Sequence, residues 1–181
     1  MEIGFNLAVV KILFMRFYVV LVSVLYLSSC SYNYYIVRHA EKLTPAANMT
    51  SDVDLTPEGK QRATELARIL KTKKVAYVYS TSTIRTLSTA APTADFFGVE
   101  IRIYGPRPDE KFITELKSLK KNTLIVGHSN TVDDIVNMLC GEIKIPADLQ
   151  DWEYSNLFVV NRKGKKVRFN IMQYGKPGIK P

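Results

Sequence analysis

Apolar positions along the chain fall into two kinds of pattern. Tyr34–Val37, Val75–Tyr79, Val99–Ile103 and Thr123–Val126 are short, nearly continuous apolar runs. Runs of that kind suit strands covered on both faces. Between them, apolar residues recur at helical spacing: Ala63, Leu66, Ala67 and Leu70, then Leu87, Ala90, Ala91 and Ala94, then Phe112, Ile113, Leu116 and Leu119, then Val132, Ile135, Val136 and Leu139. Thr56-Pro57-Glu58 predicts a helix start, with Thr as N-cap and Pro in the first turn. Gly98 and Gly141 predict helix ends, and Pro92 predicts a kink or a late start in the second helix. Asn130 or Thr131 is placed to cap the fourth. Ser31–Asn33 reads as a tether, and Leu43–Asp54 as a loop over a pocket mouth. Near the C-terminus, Asn156–Asn161 and Val167–Met172 are β-rich and flank the turn chemistry of Arg162–Lys166, which predicts a hairpin. The alternation predicts an α/β fold: a mostly parallel central sheet with helices on both faces and an antiparallel C-terminal edge.

Composition narrows this reading only a little. A chain of 181 residues, 46% hydrophobic and 23% charged, accommodates one ordinary globular domain. The net charge is +8. Arg162, Lys163, Lys165, Lys166 and Arg168 contribute late in the chain and read as a solvated hairpin tip, with attraction to anionic lipid or anionic substrate as the alternative. No motif for nucleic-acid binding accompanies the charge. The two cysteines and two histidines provide neither a disulfide framework nor metal-ligand spacing. Neither a metal site nor a cofactor is expected. Cys140, beside the apolar stripe of the fourth helix, reads as a small core residue.

The chemistry sits where apolar runs break. Tyr34–Val37 ends in Arg38-His39. Arg85 follows Val75–Tyr79 by six residues, and His128 follows Gly127 at the end of Thr123–Val126. In open α/β sheets, ligands bind at the C-terminal strand edge. If these strands are neighbours in a parallel sheet, Arg38, His39, Arg85 and His128 converge on one pocket, suited to a dianion such as phosphate.

Four segments in order, Arg38-His39-Ala40-Glu41, Leu55-Thr56-Pro57-Glu58-Gly59, Ser80-Thr81-Ser82 with Arg85, and Val126-Gly127-His128-Ser129-Asn130, resemble the histidine phosphatase superfamily. The resemblance is to its compact first branch, since Ser129 rather than Asp follows His128. It implies that His39 is the nucleophile and is phosphorylated during turnover. Such an imidazole has to be neutral, with its other ring N–H fixed by a carbonyl. Arg38, Arg85 and His128 are implied to clamp phosphoryl oxygens, with His128 protonated and its proton held by a local carboxylate or the bound phosphate. Ser129 and Asn130 are implied to orient His128 or touch phosphate, and Glu41 and Lys42 to line the mouth. The family's proton donor lies between the arginine and the second histidine. Asp95, Glu100, Asp109, Glu110 and Glu115 are available, and Glu110, with Asp109 beside it, is the candidate after the Gly105–Pro108 turn. The implied activity is metal-independent phosphomonoester hydrolysis, acting on a phosphorylated small molecule or a phosphoprotein. The alternatives are a non-catalytic phosphate-binding protein and a phosphoglycerate mutase; mutases carry longer cap insertions, for which this chain has little room.

Ahead of the domain, Phe17–Leu27 is an apolar run preceded by Lys11 and Arg16. It is short for a membrane span and the right length for a signal-peptide core. Leu27-Ser28-Ser29-Cys30 resembles a bacterial lipobox, which implies cleavage before Cys30 and a lipid on its thiol. The expected organisation is a signal peptide over 1–29 and one domain over 30–181. Met15 is an alternative start. The expected location is the cell envelope of a bacterium, lipid-anchored on the periplasmic side, with the outer membrane possible because Ser31 does not suggest inner-membrane retention.

Overall fold

A computed structural model of the chain describes residues 31–47 and 50–178, and ahead of these only Lys11 and Met15. The expected signal peptide and Cys30 lie outside the described residues. Residues 31–181 form a compact unit of their own. Its strands are β1 (Ser31–Arg38), β2 (Tyr77–Ser80), β3 (Ile101–Ile103), β4 (Thr123–Gly127), β5 (Asn156–Lys163) and β6 (Lys166–Gln173). Its helices are α1 (Pro57–Leu70), α2 (Ile84–Phe97), α3 (Glu110–Leu119) and α4 (Val132–Cys140).

The strands form one sheet in the order β3-β2-β4-β1-β5-β6. β1, β2, β3 and β4 are parallel, whereas β5 and β6 run antiparallel at one edge. The expected α/β architecture is therefore the observed one. Side chains alternate across the sheet, as the pleat requires. Tyr34, Ile36, Tyr79, Ile125 and Phe158 pack with Phe112, Ile113 and Leu116 of α3 and Ile135, Val136 and Leu139 of α4. Tyr35, Val37, Val78, Leu124 and Val126 meet Leu66 and Leu70 of α1 and Ala90 and Ala94 of α2 on the opposite face. Every residue of these clusters belongs to 31–178.

Two local expectations are corrected. Ser31–Asn33 is strand, not tether. β5 extends past the end of β4, so Ser31 pairs with Lys163 and Asn33 with Asn161, while the Asn33 N–H donates to the Asn122 side chain at 2.8 Å. The second helix neither starts late nor breaks at Pro92. It runs from Ile84 to Phe97 and ends at Gly98 in the left-handed conformation. Its apolar face, Ala90 and Ala94, is fully committed to the core, and that packing offsets the hydrogen bond proline removes.

Candidate active site

Parallel pairing brings the three predicted strand ends together. β4 lies between β1 and β2, with Arg38 opposite Gly127 and Ser80 opposite Val126. The residues that follow, His39, His128 and Thr81, therefore emerge side by side at one sheet edge. The backbone N–H of His39 donates to the Gly127 carbonyl at 2.9 Å, extending the ladder by one rung. The two imidazoles meet edge to face, with ring centroids 5.5 Å apart.

His39 is 3% exposed. Its Nδ1 lies 2.8 Å from the Ala40 carbonyl oxygen. A carbonyl only accepts, so Nδ1 carries the proton and Nε2 keeps its lone pair. Burial lowers the His39 pKa to about 3, assisted by the positive charges of Arg38 and Arg85 and opposed by the Ala40 hydrogen bond. The ring is thus neutral, with its tautomer fixed. Ala40 is held in turn by its N–H bond to Thr89 Oγ1 at 2.9 Å.

His128 faces Arg85 with Nδ1, at 3.5 Å from Nη2, and Thr81 with Nε2, at 2.9 Å from Oγ1. Arginine cannot accept, so Nδ1 is bare and Nε2–H donates to Thr81. The Thr81 hydroxyl is 2.9 Å from Thr86 Oγ1. Thr83 Oγ1 is 2.8 Å from the same atom. The Thr86 hydroxyl shares its one hydrogen between the Thr81 and Thr83 carbonyls. One set of hydrogens satisfies the whole network. Burial and then the charges of Arg85 and Arg38 lower the His128 pKa to about 4, while Asp52 raises it only slightly. With Asp52 alone beside it the ring is neutral at pH 7, which leaves the bound phosphate, of the two expected proton holders, as the one that could charge it.

The arginines are poised differently. Arg38 is 5% exposed. It donates from Nη1 to the Gln150 carbonyl at 2.8 Å, meets Asp151 at 3.5 Å and stacks over Tyr154 at 4.3 Å. Arg85 reaches Asp52 at 3.4 Å, and Asp52 also accepts from the Ile84 N–H, capping α2. The Nε–H groups of both arginines are buried without a partner. Two buried cationic donors without acceptors, beside a neutral imidazole, make a site that an anion would complete.

The remaining expectations divide. The loop from Leu43 to Asp54 is closed at its base by Leu43 N–H to Asp54 and Thr56 N–H to Glu41, both 2.9 Å, and Asp52 pins it to Arg85. Glu41, expected at the mouth, is committed to an ion pair. It is forked by Arg62 through bonds of 2.6–3.0 Å, and Arg62 also ties down the Tyr174 and Lys176 carbonyls. Glu110 is exposed at the first turn of α3, beside Asp109, whose carboxylate caps the helix at Phe112 N–H. Glu110 makes no hydrogen bond or ion pair among the described residues. The side chains of Ser129 and Asn130 make none with His128, Arg38 or Arg85. The residues that seat His128 are Thr81 and Thr131, whose Oγ1 accepts the His128 N–H at 3.0 Å. Among the described residues, no group of three or more His, Cys, Asp and Glu is placed to hold a metal ion. No helix among them is long and apolar enough to cross a membrane.

Asp151, Tyr154 and the threonine network were not singled out from sequence. Asp151 and Tyr154 lie more than a hundred residues from Arg38, in a segment without periodicity. They also wall a cavity of about 870 Å³ that includes Glu41, Arg62, Trp152 and Lys176. Tyr154, whose ring is 6.2 Å from that of His39, stands between this cavity and the histidines, which do not line it.

The sequence profile of the histidine phosphatase superfamily (branch 1) matches residues 34–105. That segment includes Arg38, His39 and Arg85; His128 lies beyond it. No curated protein sequence matches the chain significantly. Among solved structures, a protein assigned as the phosphohistidine phosphatase SixA of Agrobacterium tumefaciens is 19% identical, with a TM-score of 0.60, covering 80% of this chain and 98% of that one. The protein histidine phosphatase SixA in complex with tungstate is 21% identical, TM-score 0.62, over 78% and 96%. A protein assigned as alpha-ribazole-5'-P phosphatase of Escherichia coli is 14% identical, TM-score 0.63, over 82% and 98%. Residues 34–105 thus carry the sequence signature of the histidine phosphatase superfamily, branch 1, and residues 31–178 carry the histidine phosphatase fold.

Proposed function

We propose that the protein is a phosphatase that hydrolyses phosphate monoesters or phosphoramidates through a phosphohistidine on His39. The observation that carries this reading is a neutral, tautomer-fixed imidazole beside two arginines whose buried Nε–H groups lack acceptors. Arg38 and Arg85 take up the phosphoryl oxygens, and the dianion draws a proton onto His128 Nδ1, which becomes a third donor. His39 Nε2 attacks phosphorus as the bond to the leaving group breaks. Water then attacks phosphorus as the P–Nε2 bond breaks, its proton leaves with the released phosphate, and the electron pair returns to Nε2, restoring neutral His39. Positive charge for the transition state comes from side chains, so turnover is expected to survive EDTA.

Glu110 makes no bond to the clamp, which favours leaving groups that need little help from an acid. An aryl oxide is one. A phosphorylated histidine of a protein, the class named for the SixA proteins, is another, and the cavity beside Tyr154 has room for it. A non-catalytic phosphate-binding role follows from the same observation if no donor reaches the site. In the reading we favour, Cys30 is lipidated and holds the domain in the bacterial envelope. The test is hydrolysis of para-nitrophenyl phosphate by Ser31–Pro181 with and without EDTA. Turnover in both supports the proposal; phosphate binding without turnover moves the reading to the binding protein.

A further inference from the structure

The sheet has a second edge, opposite the candidate active site, where the parallel strands begin. Three lysine groups scattered in sequence meet there. Lys71, Lys73 and Lys74 lie between α1 and β2, and Lys120 and Lys121 precede β4. The two loops are tied together by the Asn122 side chain, which donates to the Lys73 carbonyl. Lys163, Lys165 and Lys166 form the β5–β6 tip, with Lys163 in register with Ser31. All eight are exposed, and none makes an ion pair among the described residues. Asp95, Glu100 and Glu142 are the acids on this edge, and Glu142 is already paired with Lys144. Two large apolar side chains are exposed among the charges, Ile143 at 77% and Phe96 at 48%, the latter with Lys71 Nζ 5.3 Å over its ring and Phe97 edge-on at 4.9 Å. The opposite edge is mixed: Asp52, Asp109, Glu110 and Asp151 stand there with Arg38, Arg85, Lys42, Lys60 and Lys111.

We infer that this lysine-rich edge docks on an anionic bilayer surface. Several observations converge on that partner. The charge is spread over three loops, as suits a planar array of headgroups. Exposed apolar side chains interspersed with lysine suit the headgroup boundary. The chain enters the domain at Ser31, on this same edge, so whatever precedes Ser31 is attached there. Docked in this way, the domain holds Arg38 away from the surface by the rise of β1, roughly 23 Å, with the opposite edge and its phosphate clamp facing the aqueous phase. The inference stands apart from catalysis and from the lipid on Cys30.

The test uses Ser31–Pro181, whose core is self-contained and which lacks Cys30. Co-sedimentation is measured with vesicles of phosphatidylcholine alone or with 30% phosphatidylglycerol, at rising NaCl. Binding only to the anionic vesicles, weakening with salt, is expected. The variant Lys163→Gln/Lys165→Gln/Lys166→Gln should bind roughly 100-fold more weakly at wild-type melting temperature, from the contribution of each lysine near such a surface. Lys120→Gln/Lys121→Gln is a second variant should the first misfold, and Lys111→Gln, on the other edge, should bind like wild type. Equal binding to both vesicles, undiminished binding by both folded variants, or retention by an RNA duplex but not by anionic vesicles would overturn the inference.

Discussion

Thr81→Val tests how the second histidine is set. Valine has nearly the shape of threonine, so the change removes the hydroxyl and little else. In the structure that hydroxyl accepts from His128 Nε2 at 2.9 Å and passes its own hydrogen to Thr86. Its acceptor role is the same whether His128 is neutral or, with phosphate bound, an imidazolium. In the charged state the bond is to an ion, and such bonds contribute about 1.5–3 kcal/mol. At about 1.4 kcal/mol per tenfold, the variant should lose roughly 10- to 150-fold in kcat/KM. The imidazolium is also less stabilised, so the alkaline limb of the pH–rate profile should move down by roughly one to two pH units. A merely structural defect would lower the rate without moving that limb. The assay is para-nitrophenyl phosphate hydrolysis by Ser31–Pro181 from pH 5 to 9, beside Thr81→Ser, which keeps the hydroxyl and should stay close to wild type. An unmoved limb with intact kcat/KM in the valine variant, or equal losses in both variants, would refute the reasoning.

Other consequences follow from burial and close approach. His39 titrates at about 3 instead of 6.5, so the unfolded chain binds the extra proton first and stability falls as pH drops from about 6.5 towards 3. By pH 4.5 this costs about 3 kcal/mol; urea melts at pH 7 and 4.5 should show a shallower pH dependence for His39→Asn, and parallel curves would contradict the burial argument. Arg62→Ala leaves Glu41 half-buried without its fork and frees the segment at Tyr174, and chemical denaturation should register a loss of about 3–5 kcal/mol, partly recovered by adding Glu41→Gln. A methyl group on Gly59 would run into the Glu41 backbone, so Gly59→Ala should lower both the melting temperature and kcat/KM by displacing the segment that carries His39. An unchanged melting temperature would show slack there.

Much of this was legible because Arg38, His39 and His128 end or directly follow the strands that deliver them, and Arg85 opens the helix after β2. Arg38-His39 and Gly127-His128 need only the knowledge that β1 and β4 are parallel neighbours. The glycines were legible as motif members, but their reason was not. Gly59 passes against the Glu41 backbone, and a Cβ on Gly127 would come within 2.8 Å of the Tyr104 hydroxyl. The β1 boundary was misread because strand length here is set by an antiparallel partner more than a hundred residues away. Asp151 and Tyr154 have no local signal, since their segment returns to Arg38 by tertiary packing alone. Thr81 lay inside a recognised motif, yet its bond to His128 joins residues 47 apart. The lysine-rich edge was visible only as its hairpin portion; the other lysines join it through topology.

The most direct measurement of the central claim is acid-quench trapping of a phosphoenzyme, with labelled aryl phosphate, Ser31–Pro181 and EDTA. The account predicts an acid-labile, base-stable label on wild type and none on His39→Ala. Turnover by wild type with no label, or equal label on the His39→Ala variant, would contradict it.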